Sequence, residues 1–343
     1  MANYQNIVIH SCRSLLDLGN VIGNNVGLNI FYTNNGLKTS NSERVFLYSS
    51  SFVVPVSINQ KGPFKSSSFL SEPHKYEDDG EDEKEFLNAV CCYLKESIHV
   101  QWIMETPAYA LFPVAPAGAI AIPFGSHIVN LEEEIDTLWG KVHSKHRNVI
   151  KKAEKDGVVI VKGTDNKILE DYHSIDIETW ERSNVKAEGI EDLKRELKAL
   201  GDNVTIYMAY KDGEPQAGAI FYYNQAMCYY MHGASRNHSY AGSSNLLHWI
   251  AMQDMKAVGV KRYSFVGARI NEDPDSKYHG IQRFKERFGG ELFVGKRFKV
   301  VFNPSMYKLF VFLTSLKQSI RNRRWSWYRD SIDVEYPKWR NQA

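Results

Sequence analysis

The sequence contains few cysteines and no cysteine spacing that marks a metal or haem site. Only four occur in 343 residues: Cys12, Cys91, Cys92 and Cys228. None belongs to the short paired motifs that bind zinc or attach haem. We therefore expect reduced thiols in a reducing compartment and no metal site.

An excess of one charge sign is also absent. Lys and Arg total 42 against 40 Asp and Glu, which leaves a formal net charge of +2. The field of the whole chain would therefore not attract nucleic acid, and any basic binding site must be local.

Long uninterrupted hydrophobic segments are missing as well. The longest stretch without Asp, Glu, Lys or Arg runs from Thr106 to Leu131, and its prolines and glycines divide it into pieces typical of buried strands. Met1 to Leu16 lacks an apolar core of signal-peptide length. We therefore expect a cytoplasmic protein with no transmembrane segment.

The length of the chain predicts two domains, because 343 residues exceed one ordinary core. In the first third, apolar runs at Asn29 to Tyr32, Arg44 to Tyr48 and Phe52 to Val56 predict a small sheet, with a turn at Asn34-Asn35-Gly36. The acidic stretch Lys75 to Glu85 predicts a solvated loop.

Helical periodicity follows this stretch and returns after residue 130. Residues 86–94 predict a helix that buries Cys91. Another helix is expected to begin at Asn130 as its cap, and a further one to run from Ser144 to about Gly157. Beyond Gly157, an antiparallel meander leads into a helix near residues 244–258 and a crossover strand. This order predicts an α/β fold with a mixed sheet.

Six basic side chains occur between residues 141 and 155 against one acid, Glu154: Lys141, Lys145, Arg147, Lys151, Lys152 and Lys155. Such side chains in the first turns of a helix can bind the phosphates of a nucleotide, coenzyme A or RNA. A solvated helix face without a ligand is the alternative.

A loop rich in glycine and serine, residues 233–244, joins an apolar strand to an amphipathic helix. Free backbone N–H groups at the start of such a helix can bind a pyrophosphate or a carboxylate. Many strand-to-helix turns have the same composition, so the loop alone does not define a site.

A third cluster, Tyr278 to Gly290, places Lys285 on a short helix that paired glycines end. Phe284 and Phe288 are four residues apart and share one helix face. A lysine held beside an apolar face can serve as a preorganised cation for a developing oxyanion. An exposed lysine without such a role is the alternative.

In their joint order, these clusters resemble the FemABX family of peptidoglycan bridge-forming aminoacyltransferases and related acyltransferases of the GNAT superfamily. Residues 144–157 are similar to that family's R-x-x-I-x-K-A-x-K-x-G helix, and residues 214–219 to its hairpin. Residues 233–267 resemble its strand, loop, helix and strand, and residues 283–290 its F-K-x-x-F-G signature. The resemblance covers about residues 140–303.

The resemblance implies two tandem GNAT-like domains, a degenerate one at 1–140 and one with the family motifs at 141–305. A basic and aromatic tail at 306–343 follows them in the sequence. It implies transfer of an acyl or aminoacyl group to an amine of a cell-envelope precursor, either a peptidoglycan muropeptide or an amino sugar linked to UDP or lipid. The donor would be acyl-CoA or aminoacyl-tRNA, with no bound cofactor.

The same resemblance implies roles for particular residues. Lys285 would stabilise the oxyanion formed by direct attack of the amine, and Phe284 would line the donor pocket. Arg147, Lys151 and Lys152 would contact acceptor phosphates. The other candidate substrate-binding residues are Arg236, Ser243, Ser244, Tyr278 and His279.

Two features depart from the family pattern. Where many relatives have a strand end containing Asp, this chain has Tyr263-Ser264-Phe265-Val266-Gly267, so a carboxylate role there is missing. The helical hairpin of some staphylococcal members, associated with tRNA contact, has no counterpart. Both departures weaken the tRNA hypothesis. The missing carboxylate also favours the alternative of a non-catalytic binding protein for envelope precursors.

The sequence assigns no general base. His232 and His238 lie near the predicted donor loop and His279 precedes Phe284, but a structural hydrogen bond or simple exposure is the alternative for each. Cys228 is expected to pack in the core rather than to form an acyl-enzyme.

The segment Met306 to Arg329 combines an apolar helical face with basic residues and tryptophans. This pattern is typical of helices that lie on an anionic bilayer surface. It would suit a lipid-linked acceptor and a location peripheral to the inner membrane face. A helix docked on its own domain is the alternative, and the sequence leaves the oligomeric state open.

Overall fold

The computed structural model describes residues 7–23, 28–33, 42–182, 187–270, 276–322, 325 and 327–340. None of the helices in these ranges is long and apolar enough to cross a lipid bilayer. The strands are β1 (His10–Cys12), β2 (Ser42–Tyr48), β3 (Phe52–Lys61), β4 (Phe64–Phe69), β5 (His74–Lys75), β6 (Trp102–Ile103), β7 (Ile120–Asn130), β8 (Val158–Gly163), β9 (Val204–Lys211), β10 (Glu214–Tyr223), β11 (Cys228–Ser235), β12 (Arg262–Ser264), β13 (Ala268–Arg269) and β14 (Glu291–Val301). The helices are α1 (Leu15–Ile22), α2 (Ile30–Thr33), α3 (Glu83–Glu96), α4 (Ile135–Lys141), α5 (Ser144–Lys155), α6 (Asn166–Glu181), α7 (Ile190–Leu200), α8 (Ser243–Ala257), α9 (Lys277–Glu286), α10 (Pro304–Asn322) and α11 (Ser331–Arg340).

The chain packs as two compact units. Unit 1 comprises Met1–Val26, Lys38–Gly125 and Val294–Ala343, and unit 2 comprises Gly27–Leu37 and Ser126–Phe293. The division near residues 140 and 305 was inferred from motif positions, which is a different criterion from packing, and it stays a prediction.

Unit 1 is built on a mixed sheet. The strand order is β1-β2-β3-β4-β6-β14, with β5 on β3, and every pairing is antiparallel except that of β4 with β6. The apolar face of α3 joins the core of this sheet through Phe86, Leu87, Val90 and Leu94. Cys91, on the same helix, is buried, as predicted.

The acidic stretch before α3 is only in part the solvated loop that its composition predicts. Glu81 accepts a hydrogen bond of 2.8 Å from the Ser49 hydroxyl, and Asp79 accepts one from Ser51. Asp82 caps α3 by accepting from the backbone N–H groups of residues 84 and 85. The carboxylates therefore tie the loop to the turn between β2 and β3.

The helix α10 packs on its own unit, which was one of the two alternatives for this segment, and its contact with a membrane stays a prediction. On one side, Phe310 packs 4.9 Å from the ring of Trp102 and 5.8 Å from that of Phe64, which docks the helix on unit 1. The opposite side carries large hydrophobic side chains that are exposed to solvent: Leu309, Phe312, Leu313, Leu316 and Ile320. Their spacing places them on one helix face.

Unit 2 has the mixed sheet that the sequence predicts. The order is β7-β12-β11-β10-β9-β8, in which β11 and β12 are parallel and the other neighbours are antiparallel. The crossover between β11 and β12 is α8, which packs in the same core as α5. The predicted meander, helix and crossover strand are therefore confirmed.

The strand predicted at Asn29 to Tyr32 is wrong, because these residues form the cap and first turn of α2. The Asn29 side chain accepts a hydrogen bond of 3.0 Å from the N–H of Phe31, as an N-cap does. Phe31 packs 5.2 Å from the ring of Tyr229 in the core of unit 2. The turn predicted at Asn34-Asn35-Gly36 lies outside the described residues.

The helix predicted to begin at Asn130 begins later. α4 starts at Ile135 after Glu134, whereas the Asn130 side chain accepts a hydrogen bond of 3.1 Å from the N–H of Glu132. Asn130 therefore forms a local turn at the end of β7 rather than a helix cap.

Candidate active site

A cavity of about 500 Å³ opens in unit 2 where two parallel strands separate. β12 pairs with β11 at Cys228–Tyr263 and Tyr229–Ser264 and ends there, whereas β11 continues to Ser235. α8 and α9 close the space beside the part of β11 that extends beyond its pairing with β12. The residues that line it are Arg182, Ala217, Gly218, Ala219, Tyr230, Gly233, Ala234, Ser235, Ser244, Leu247, His248, Gly280, Ile281, Phe284 and Lys285.

Lys285 places a buried positive charge in the wall of this cavity. The residue is 9% exposed, and its Nζ donates hydrogen bonds to the backbone oxygen of Val266 and, at 3.0 Å, to that of Gly267. No carboxylate of the described residues forms an ion pair with it. An ammonium has three N–H donors, so one remains for a group in the cavity.

The two carbonyl groups are directed at Lys285 by an unusual turn after β12. Val266 has φ +43° and Gly267 has φ +69°, which places two successive residues in the left-handed region. A β-branched side chain rarely adopts that conformation. At the strand end where family members often have Asp, this chain therefore holds the lysine with backbone carbonyl groups.

The positive charge of Lys285 is not neutralised by these carbonyl groups. Burial lowers the pKa of Lys285 to about 8, because desolvation disfavours the charged form. The side chain is still mostly protonated at neutral pH. It can therefore stabilise negative charge that develops in the cavity.

Phe284 forms the aromatic wall beside this lysine. Its ring centroid lies 5.2 Å from that of His146, 5.2 Å from that of Phe288 and 5.6 Å from that of His248. The cluster fixes the orientation of α9 and leaves the Phe284 ring partly exposed to the cavity.

His248 lines the cavity from α8, and the sequence analysis missed it. The residue is 1% exposed, and its Nδ1 lies 2.7 Å from the hydroxyl oxygen of Tyr263. Burial lowers the pKa of His248 to about 3, so the imidazole is neutral at physiological pH. A signal was available, because Ser244, Leu247 and His248 lie at i, i+3 and i+4 and so share one face of the predicted helix.

Arg182 is a second lining residue that the sequence analysis missed. At the end of α6, its Nη1 donates to the backbone oxygen of Ser235 at 2.9 Å and to the side chain of Asn237 at 2.8 Å. Thr179 also bonds the backbone of Ser235. The end of β11 is therefore held at the rim of the cavity by a helix that is distant in sequence, for which no local pattern gives a signal.

The predicted site residues Arg147, Lys151 and Lys152 lie on α5 and do not line the cavity. Arg147 donates to the backbone oxygens of Gly140, at 3.0 Å, and Val142, so its guanidinium ties the end of α4 to α5. That use of the side chain differs from the predicted phosphate contact, which stays a prediction.

The two lysines of this group are exposed. Lys152 forms an ion pair with Asp156, and its Nζ lies 3.3 Å from the hydroxyl of Tyr240. Nζ of Lys151 lies 5.9 Å from the centroid of the Trp139 ring. Both ammonium groups are accessible to a ligand at the surface.

The loop before α8 contributes one predicted residue to the cavity. Ser244 lines it, whereas Ser243 is buried and its hydroxyl has no hydrogen-bond partner in the parts of the chain that the structure describes. Arg236 forms an ion pair of 3.0 Å with Glu214 instead of facing the cavity.

Tyr278 and His279 lie at the start of α9, beside the cavity lining but not in it. The guanidinium of Arg269 stacks 3.6 Å from the centroid of the Tyr278 ring. The backbone N–H of His279 donates a hydrogen bond to the side chain of Ser276, which caps the helix. Of the ten predicted site residues, the structure thus brings together Ser244, Phe284 and Lys285 in one cavity.

The other histidines considered from the sequence lie elsewhere. His232 pairs with Glu196 at 3.3 Å; burial opposes its charge, but the Glu196 carboxylate outweighs burial and raises the pKa of His232. His238 is exposed. Cys228 is fully buried, as predicted, and burial raises the pKa of its thiol. Within the described ranges, no three His, Cys, Asp or Glu side chains are grouped to hold a metal ion.

Comparisons with known proteins find similarity in the part of the chain that contains this cavity. Residues 140–286 match the family model of the acetyltransferase (GNAT) domain. Over 122 residues, the chain is 30% identical to the lipid II:glycine glycyltransferase of Staphylococcus aureus (strain USA300), which covers 35% of this chain and 27% of the relative. The chain thus spans about a quarter of the length of the curated relatives that it matches.

Solved structures show a fold similar to that of most of the chain. FemX aligns with a TM-score of 0.63 and 13% identity over 88% of this chain and 99% of its own. L-PGS from Bacillus licheniformis aligns with a TM-score of 0.55 and 15% identity over 88% and 96%. At these identities, the likeness concerns the fold, and the predicted fold class is confirmed. Residues 140–286 are therefore similar to the acetyltransferase (GNAT) domain, and most of the chain is similar in fold to FemX, in agreement with the predicted resemblance to the FemABX and GNAT acyltransferases.

Proposed function

We propose that this chain transfers an acyl or aminoacyl group to an amine of a cell-envelope precursor. The observation that carries the proposal is the buried ammonium of Lys285, which lines a cavity in the GNAT domain without a carboxylate partner among the described residues. A charge buried at such a cost is typical of a functional site.

The proposed reaction is direct attack of the acceptor amine on the carbonyl carbon of a thioester or ester donor. A C–N bond forms while the carbonyl oxygen becomes an oxyanion; the oxyanion then collapses, the C–S or C–O bond to the leaving group breaks, and the amine releases a proton to solvent. Lys285 donates its third N–H to the oxyanion. Because the carbonyl groups of Val266 and Gly267 already orient Nζ, little reorganisation accompanies the step.

Two donors fit the proposal, acyl-CoA and aminoacyl-tRNA, and each acts as a substrate rather than a bound cofactor. The GNAT domain supports acyl-CoA, and the glycyltransferase named above supports an aminoacyl donor. The salt dependence of donor binding distinguishes the two. Binding of a tRNA weakens steeply with salt because many phosphates are contacted, whereas binding of a CoA ester, which has few phosphates, weakens less.

The proposed acceptor is a muropeptide or an amino sugar linked to UDP or to lipid. The glycyltransferase relative is named for lipid II, which supports a lipid-linked peptidoglycan precursor. The exposed ammonium groups of Lys151 and Lys152 on α5 are the proposed contacts for its phosphates.

We further propose that α10 holds the protein at the inner membrane face, where a lipid-linked acceptor would lie. The exposed apolar side of α10, from Leu309 to Ile320, supports this contact. Residues 304–329 contain six Lys or Arg and no Asp or Glu, so their charge complements an anionic lipid surface.

Product mass tests the function directly. The protein is incubated with charged tRNA or a panel of acyl-CoA esters, together with a UDP-muropeptide, a UDP-amino sugar or lipid II. Acceptor mass should rise by the mass of the transferred group.

Lys285→Met should lower kcat by about 10²- to 10³-fold with little loss of folding, because one oxyanion donor is removed. Lys261→Met, the same change at an exposed lysine of unit 2, is the control.

A Lys285→Met enzyme with full activity would exclude the proposed role of this lysine. If no pair of donor and acceptor gives a product, a thermal-shift measurement tests the alternative of a non-catalytic binding protein. A melting temperature raised by an acceptor but by no donor would favour that alternative.

A further inference from the structure

His248 occupies a position that the proposed reaction does not yet use. It lies one helical turn after Ser244 on α8 and lines the same cavity as Lys285. Its ring packs edge-on against Tyr230 at 4.5 Å and lies 5.2 Å from Phe265 and 5.6 Å from Phe284. These aromatic rings hold the imidazole in one orientation.

The proton positions on His248 follow from its partner, Tyr263. The Tyr263 side chain is fully buried, and Nδ1 of His248 is the partner of its hydroxyl among the described residues. A buried hydroxyl that leaves its proton without an acceptor costs more than one that leaves a lone pair unused. The O–H of Tyr263 therefore donates to Nδ1, which must be unprotonated.

A neutral imidazole with an unprotonated Nδ1 carries its proton on Nε2. Nε2 forms no hydrogen bond with the part of the chain that the structure describes, and the residue lines the cavity. The cavity wall thus presents two N–H donors from different elements, Nε2 of His248 on α8 and Nζ of Lys285 on α9.

We propose that His248 is a further catalytic residue, whose Nε2–H donates a second hydrogen bond to the oxyanion, and that Tyr263 is the positioning residue that fixes this tautomer. The inference rests on the function proposed above. The imidazole neither gains nor loses a proton in the step, so His248 acts as a neutral donor and not as a general base. A neutral donor beside the ammonium adds stabilisation without the repulsion that a second cation would cause.

Nitrogen NMR tests the tautomer without any substrate. In the full-length protein with 15N-labelled histidine, long-range 15N–1H spectra show which ring nitrogen carries the proton; His248→Gln assigns the signals. We expect His248 to be protonated at Nε2 and not to titrate between about pH 5 and 8. In Tyr263→Phe, where Nδ1 loses its donor, the form protonated at Nδ1 should become populated. A wild-type ring protonated at Nδ1, or one that titrates in this range, would overturn the inference.

Kinetics test the catalytic role. His248→Phe keeps an aromatic ring but removes the donor, and should lower kcat by about 100-fold with small changes in KM for both substrates. His248→Gln, which restores an N–H donor, should recover part of the loss, and Tyr263→Phe should lower kcat by less than His248→Phe. His238→Gln, at an exposed site outside the cavity, is the control.

The outcomes separate this inference from the proposed function. Wild-type kcat retained in His248→Phe, while Lys285→Met is impaired, would overturn the role of His248 alone. A wild-type protein that transfers no group from any donor would overturn the proposed function, and the catalytic role of His248 with it.

Discussion

At the scale of single residues, the charge of Lys285 depends on backbone geometry rather than on a counterion. The carbonyl groups of Val266 and Gly267 accept two of its hydrogen bonds, but dipoles compensate a buried charge less completely than a carboxylate does. The hydrogen bonds therefore offset only part of the desolvation cost of burying the charge. The lowered pKa of Lys285 reflects the part that remains.

Because the pKa of Lys285 is lowered on folding, this residue should make the free energy of unfolding depend on pH. The pKa is about 8 in the folded protein and about 10.4 in an unfolded chain. Between these values the unfolded state binds more protons, so the free energy of unfolding gains a contribution that rises with pH. The difference between wild type and Lys285→Met should be constant below pH 8 and then rise by about 3 kcal/mol in total. Chemical denaturation at a series of pH values measures it, and a flat difference across this range would contradict the lowered pKa.

Sequence patterns pointed to some of the residues that line the cavity and not to others, for an identifiable reason. Phe284 and Lys285 belong to a contiguous signature, so the sequence alone singles them out. The family resemblance implies a phosphate contact for Arg147, which stays a prediction; the structure adds that its guanidinium donates to Gly140 and Val142, partners that the sequence does not show. His248 belongs to no motif, and its proposed role depends on Tyr263, a residue of β12 whose hydroxyl contacts it.

At the scale of elements, α8 is positioned by a close contact with α5. Gly242, just before α8, has φ +89°, and a Cβ there would lie 2.5 Å from the backbone oxygen of Val149 and 3.0 Å from Cβ of Ala153. Only glycine satisfies both the conformation and the space. The contact sets where α8 begins, and hence where Ser244 and His248 face the cavity.

Substitution of this glycine should therefore destabilise the domain for two separable reasons. Gly259 also has a left-handed conformation, φ +82°, but a Cβ there would meet no atom within 4 Å. Gly259→Ala should cost about 1 to 2 kcal/mol from conformation alone, and Gly242→Ala about 1 to 3 kcal/mol more from overpacking. Urea unfolding compares the two variants. Equal losses would show that the contact with α5 does not restrict this position.

Helices were predicted well from the sequence where local signals agree with tertiary packing. α5 and α8 have the expected bounds to within two residues, because their apolar periodicity and ends are local features. The segment Asn29 to Tyr32 failed because four apolar and polar residues fit a strand or a helical turn equally well. The helical turn is stabilised by the packing of Phe31 against Tyr229, which lies nearly two hundred residues away in the sequence.

At the scale of the whole molecule, the near-neutral net charge conceals separate charged regions. The acidic residues of the stretch before α3 bind the turn between β2 and β3, whereas Lys308 and Lys317 are exposed on α10, which also carries the exposed apolar side chains. Local basic charge of this kind would let α10 associate with an anionic surface despite a formal net charge of only +2.

The protein should therefore bind vesicles that contain anionic phospholipid and bind zwitterionic vesicles weakly. Binding should fall with salt, because each Lys or Arg near the surface contributes about 1 kcal/mol that salt screens. Replacing Phe312 and Leu316 with Ser should reduce binding by removing apolar contact, whereas Val258→Ser, an exposed apolar site in unit 2, should not.

Vesicle co-sedimentation measures this association, and analytical ultracentrifugation without lipid tests the other occupants of the same surface. Wild-type protein that ignores anionic vesicles, or a double variant that binds as well as wild type, would contradict the membrane contact. Self-association that the double variant abolishes would assign the surface to a second copy of the chain.

The sequence by itself determined the properties that are encoded locally: the mixed α/β class, the bounds of α5 and α8, the burial of Cys91 and Cys228, and the motif that contains Phe284 and Lys285. Only the tertiary structure decided which side chains share the cavity, because β11 and β12 separate after two pairs and long-range contacts fill the space between them. It also decided that Lys285 forms hydrogen bonds with backbone carbonyl groups and that Tyr263 forms one with His248. Hydrogen-bond partners of buried groups are chosen by the three-dimensional packing, and residue order alone does not specify them.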